Sequence, residues 1–103
     1  MIDYSSEHSY SLRSKYPQCY PVILVGDINL TKTKLLINKN MSITQLLSYI
    51  RQYNKLNRNE SYFIFTTNNV LLIQSSTLTD VYLNHKSDND FLYLIVKKES
   101  TFG

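Results

Sequence analysis

The side chains with the greatest chemical reach in this sequence are two histidines, His8 and His85, and one cysteine, Cys19. They stand apart from one another. Neither histidine has a partner at catalytic spacing, and no base lies near Cys19 in sequence to draw off its proton. There is no glycine-rich phosphate loop, and no run of His, Cys, Asp or Glu has metal-ligand spacing. Catalysis is therefore the weakest reading, and no metal or cofactor is expected. Cys19 reads as an inert thiol that serine should replace without loss of function. A lone cysteine forms no intramolecular disulfide, which suits a reducing compartment.

What remains is recognition, and composition limits its kind. With 103 residues the chain fits one domain, and 43% hydrophobic against 18% charged residues marks it as globular. The net charge of +3 is spread over eleven Lys and Arg residues along the chain. That describes a solvated surface rather than the clustered basic face of a nucleic-acid binder, so no nucleic acid is expected as a partner. Residues 1–10 are polar and lack the apolar stretch of a signal peptide. The longest apolar run, Phe91 to Val96, is far shorter than a membrane span. Any membrane would be met by attachment or contact.

The elements that must position a recognition surface follow from pattern. Residues 1–15 are serine-rich and read as a frayed segment or one short helix, ended by Lys15-Tyr16-Pro17 because a residue before proline avoids helical geometry. Pro21 to Val25 reads as a strand with Pro21 at its first position. Gly26 to Thr31 reads as a turn. Lys34 to Lys39 reads as a second strand, Leu35 and Ile37 on one face and Leu36 on the other. Ser42 and Gln45 form a capping box, Met41 and Leu46 a hydrophobic staple, and Ile43, Leu46, Leu47 and Ile50 the inner face of a helix. Tyr49, Tyr53 and Leu56 give that helix a second apolar line, for a partner or for a neighbouring loop. Tyr62 to Thr67 reads as a strand, Asn68-Asn69 as a turn, and Val70 to Ile73 as a short strand. A short helix is expected over 77–86 and a last strand over 91–98. The expected architecture is α+β: a mixed sheet of four to five strands crossed by one main helix, the β-grasp arrangement of ubiquitin.

Several ordered segments resemble the autophagy-related protein 8 family of ubiquitin-like modifiers, which includes GABARAP and the microtubule-associated light chains. They are Lys15-Tyr16-Pro17 followed by Pro21-Val22-Ile23, then Ile50-Arg51, Phe63-Ile64-Phe65, Asn68-Asn69-Val70, Tyr82, His85-Lys86, Phe91-Leu92-Tyr93 and the end Glu99-Ser100-Thr101-Phe102-Gly103. The match covers roughly residues 12–103. It implies a short N-terminal segment (1–15), a ubiquitin-like domain (16–98) and a conjugation tail (99–103).

The resemblance implies that the Gly103 carboxylate is adenylated by an activating enzyme, passed as a thioester to a conjugating enzyme and joined to the amine of phosphatidylethanolamine. A delipidating cysteine protease would reverse this. With nothing following Gly103, no trimming is expected. Glycine suits the role because it lacks a Cβ that would block a narrow channel. The tail from Lys97 could extend roughly 23 Å into a partner. Arg51, Phe63, Phe65 and Phe102 would contact the conjugation enzymes, although packing into the core is the simpler reading of Phe63 and Phe65. The protein would be cytoplasmic, and on autophagosomal membranes when lipidated.

The resemblance also implies capture of receptor peptides of the form aromatic-x-x-aliphatic, added as a strand to the edge at Lys34-Leu35-Leu36-Ile37. The aromatic pocket would be lined by Leu12, Pro21, Ile23, Lys34, Leu36 and Phe91. The aliphatic pocket would be lined by Leu35, Ile37, Met41, Leu46 and Tyr49. Some family features are not matched. The family carries a longer stretch before Lys-Tyr-Pro, so that helix's roles in tubulin binding and tethering are not carried over. Asn38 and Leu72-Ile73 stand where prolines are usual. Charged pocket flanks are replaced by His8, Cys19, Thr31 and Thr33, so acidic-flanked ligands should bind more weakly. Two alternatives are a modifier like autophagy-related protein 12, joined to a protein lysine, and a β-grasp adaptor that binds peptides without being conjugated.

Overall fold

The computed structural model describes residues 4–26, 30–57 and 59–98. The tail 99–103, with Phe102 and Gly103, lies outside them, as do 1–3, 27–29 and 58. Among the described residues seven elements follow one another: α1 (Ser6–Lys15), β1 (Cys19–Val25), β2 (Lys34–Asn38), α2 (Ile43–Tyr53), β3 (Tyr62–Thr66), α3 (Leu78–His85) and β4 (Leu92–Lys98). The four strands form one sheet in the order β2-β1-β4-β3. β1 runs parallel to β4, and the two outer pairings are antiparallel. Among the described residues no helix is long and apolar enough to cross a membrane.

Helix α2 forms as its sequence dictates. The Ser42 hydroxyl accepts from the Gln45 N–H at 3.1 Å, and the Gln45 side chain accepts from the Ser42 N–H at 2.9 Å. Its buried stripe is Ile43, Leu46 and Ile50. Thr77 caps α3, which buries Leu78, Val81 and Tyr82. These helices close one face of the sheet around Val22, Leu24, Leu35, Ile37, Ile64, Leu92, Leu94 and Val96.

Helix α1 is well formed, starting at the Ser5 cap and ending at Tyr16 before Pro17. Its apolar patterning is weak, and polar ties hold it. The buried Ser9 hydroxyl donates to the Asp90 carbonyl at 2.7 Å, and the Asn89 side chain donates to the Tyr4 carbonyl at 2.9 Å.

Three expectations need revision. β1 begins at Cys19, so Pro21 sits inside the strand. Lys39 N–H donates to Gln18 O and Leu24 N–H to Thr33 O, which makes Pro21↔Leu36 a pair without hydrogen bonds. The nitrogen of Pro21 therefore points toward β4, where pairing starts only at Val22↔Leu92. The missing N–H interrupts neither ladder. The strand expected over 70–73 is a single bridge, Phe65↔Leu71. Leu72 is buried, whereas Val70, Leu71 and Ile73 are exposed.

The third revision concerns Phe63 and Phe65. The sheet buries Tyr62, Ile64 and Thr66 and leaves Phe63 and Phe65 half-buried on the opposite face. Because Ile64 pairs with the core residue Val96, alternation allows only one set inward. The Lys97 ammonium lies 4.7 Å from the Phe65 ring centroid on that outer face.

Candidate functional site

The same alternation builds a site on the face away from the core. With Gln18–Lys39, Tyr20–Ile37, Val22–Leu35 and Leu24–Thr33 as the bonded pairs, Lys34 and Leu36 turn their backbone N–H and C=O groups outward. β2 is the last strand on its side of the sheet, so this edge is open to another strand.

Beside the edge lies a hollow of about 440 Å³ between β1, β2 and α1. All six residues expected in an aromatic pocket line it: Leu12, Pro21, Ile23, Lys34, Leu36 and Phe91. Ile23 and Phe91 are buried yet lie outside the main core, because they point to the α1 side of the sheet. Sequence reasoning left Tyr4 out of the lining and gave His8 only as a pocket flank. The Tyr4 ring meets Phe91 edge-on at 5.9 Å, and His8 lies 6.3 Å from it. His8 stands one helical turn before Leu12, so the i, i+4 spacing could have placed it there. Lys34 supplies an exposed ammonium at the rim. The hollow suits a flat apolar group entering beside a carboxylate.

Of the five residues expected around an aliphatic group, four share the core cluster or pack against it and Tyr49 stands apart from it. Leu35, Ile37 and Leu46 belong to the closed core, and Met41 packs half-buried against it. Tyr49 is partly exposed and stacks on Tyr53 at 5.2 Å. The Arg51 guanidinium donates to the carbonyls of Glu60 and Asn57 at 2.9 and 3.3 Å and lies over Tyr62. It ties the end of α2 to the start of β3. Cys19 is half-buried at the start of β1.

The sheet order, the parallel β1–β4 pair and the crossing α2 define a ubiquitin-like protein. A sequence model of the family described as "Autophagy protein Atg8 ubiquitin like" matches residues 5–103, so the chain belongs to the Atg8 family. It is 29% identical to human microtubule-associated protein 1 light chain 3 gamma, over 94% of this chain and 70% of that protein. It is 33% identical to autophagy-related protein 8 of Schizosaccharomyces pombe, over 92% of this chain and 82% of that protein. A crystal structure of Trypanosoma brucei ATG8 superimposes with a TM-score of 0.84 at 26% identity, covering 95% of this chain and 88% of that one.

Proposed function

We propose that this ubiquitin-like autophagy protein is a lipid-linked tag that gathers receptors. The hollow beside the open edge of β2 is the observation that carries the receptor half of this reading. A peptide of the form aromatic-x-x-aliphatic pairs with the outward groups of Lys34 and Leu36. Its aromatic side chain enters the hollow against Phe91, and Lys34 meets an acidic flank. Its aliphatic side chain lies toward Met41 and the exposed Tyr49, since Leu35, Ile37 and Leu46 are buried in the core.

The covalent half belongs to the tail, residues 99–103. The Gly103 carboxylate, activated with ATP, becomes a thioester on the activating and then the conjugating enzyme. The amine of phosphatidylethanolamine attacks the thioester carbonyl, the enzyme thiolate leaves, and an amide forms. A cysteine protease hydrolyses that amide to recycle the protein from the membrane. Phe63, Phe65 and Phe102 offer apolar contacts to these enzymes, and Arg51 holds the neighbouring loop. The protein itself contributes an electrophile and a shape.

Intact-mass analysis tests the tail. The chain is incubated with its activating and conjugating enzymes, ATP and phosphatidylethanolamine vesicles, beside a chain lacking Gly103. A lipid-sized gain in the complete chain alone is expected. A gain with a protein lysine and none with lipid would replace the lipid by a protein target. No thioester on either enzyme would overturn conjugation.

A further inference from the structure

A second hollow, of about 420 Å³, lies on the other flank of α1, between that helix, α3 and the start of β1. Its base is the stacked pair Tyr20 and Tyr82, ring centroids 3.9 Å apart. Two apolar side chains at its mouth reach into solvent: Tyr10 at 65% and Leu83 at 63% exposure. Neither is needed by the fold. The charges around the hollow are unbalanced, since Arg13, Lys39 and Lys86 surround it and Asp90 is the only carboxylate in its lining among the described residues. Asp90 is already engaged, by Lys86 at 2.7 Å and Arg13 at 3.7 Å. Lys39 sits 4.9 Å above the Tyr20 ring and has no carboxylate partner among the described residues.

We propose that this hollow is a second docking site, for an acidic peptide segment carrying one apolar or aromatic anchor. The anchor lies between Tyr10 and Leu83 over the tyrosine stack, and the flanking carboxylates meet Lys39 and the outer faces of Arg13 and Lys86. Exposed aromatic and aliphatic groups give such a site its area, and the excess of cations gives it sign.

An anionic membrane would match the same charges, and position argues against it. The hollow lies at Asp90, just before β4 begins, whereas the tail follows Lys98 at the far end of that strand. Seven residues of strand separate the two ends by roughly 20 Å. Attachment through the tail holds the Lys98 end of β4 next to a membrane and the hollow at the opposite end of that strand. This choice of occupant rests on the proposed attachment through the tail.

The test selects a displayed library of random peptides on the unconjugated chain, on K39E and on L83A. Leu83 is exposed and Lys39 half-buried, and a melting curve for each variant verifies the fold. Acidic peptides with a single apolar anchor should emerge on the parent chain. Synthetic copies should bind the variants about tenfold more weakly, ~1.4 kcal/mol. They should also weaken in salt of about 0.5 M, where surface charges are screened. Amide shifts on titration should centre on Tyr10, Lys39 and Leu83. Aromatic-x-x-aliphatic peptides should bind parent and variants alike, which separates failure here from failure at the first hollow. The proposal is overturned if every enriched peptide binds K39E and L83A as it binds the parent. It is equally overturned if phosphatidylserine vesicles, and no peptide, bind the parent and lose K39E.

Discussion

The two faces of the sheet are made by the same strands, yet one is filled and the other is hollow. On one face Val22, Leu35, Ile37, Leu92 and Leu94 meet a layer of Ile, Leu, Val and Tyr from α2 and α3 and are sealed. On the other, Pro21, Ile23, Leu36 and Phe91 meet α1, whose sequence Ser6–Lys15 holds Ser6, Ser9, Ser11 and Ser14 and only Leu12 as an aliphatic residue. A helix so poor in apolar side chains cannot fill the space it covers. It stays because Ser9, Arg13 and Asn89 bind it through polar groups. The hollow is thus a consequence of an underfilled layer, and it sits where the open edge of β2 can deliver a peptide side chain.

If the faces differ in this way, one substitution on each should separate stability from binding. Leu46 is fully buried in the sealed layer, so Leu46→Ala should cost ~2–5 kcal/mol. Melting should fall by on the order of 10–40 °C. Leu36→Asp, on the half-open face, should change stability by no more than ~1 kcal/mol. It should nevertheless abolish measurable capture of an aromatic-x-x-aliphatic peptide, because a carboxylate then lines the hollow. Thermal melts and fluorescence anisotropy on both variants decide it. Equal melting losses would mean that the two faces form one core.

Filling the hollow sharpens the same contrast. Leu12→Trp projects a larger ring from α1 toward Phe91. Its expected signature is unchanged or raised melting temperature with peptide affinity reduced about tenfold, ~1.4 kcal/mol. Undiminished affinity would place the peptide's aromatic group elsewhere.

These contrasts also explain which parts of the molecule could be read in the sequence. α2 was legible because its cap, staple and stripe are all local. β2 was legible because Leu35 and Ile37 alternate cleanly with Lys34 and Leu36. Tyr62-Phe63-Ile64-Phe65 was not, since an unbroken apolar run fits either phase and only the register with β4 selects one. α1 stayed ambiguous because its anchors are eighty residues away in sequence, as the Ser9–Asp90 separation of 81 shows. The six-residue lining of the first hollow came from family likeness, whereas Tyr4 needed the fold to bring it over Phe91. The disposition of Leu35, Ile37 and Leu46 within the closed core also needed the structure, because a strand pattern gives the side of a residue and not its depth.

The smallest expected effect dissects the anchor of α1, where Asp90 acts through two groups. Its carbonyl accepts from the Ser9 and Tyr82 hydroxyls at 2.7 and 2.6 Å, and its carboxylate meets Lys86 and Arg13. The hydrogen bond from Lys86, with the charges of Lys86 and Arg13, holds the Asp90 carboxyl below the ordinary carboxylate range. A lowered value in the folded state means that the unfolded chain takes up the proton first as pH falls. The stabilisation is present at neutral pH and is lost through and below about pH 4. Asp90→Asn removes the carboxylate and keeps the carbonyl, and asparagine tolerates the local φ of 63°. Parent and variant should therefore differ slightly at pH 7 and converge as the pH falls through the lowered carboxyl value of the folded parent. Ser9→Ala instead breaks the carbonyl tie at a buried position and should cost ~1 kcal/mol at both pH values. Urea unfolding of the three proteins at neutral and acid pH separates the contributions. A pH-independent gap for Asp90→Asn would show that the ion pairs contribute nothing and that Asp90 holds the helix through its carbonyl.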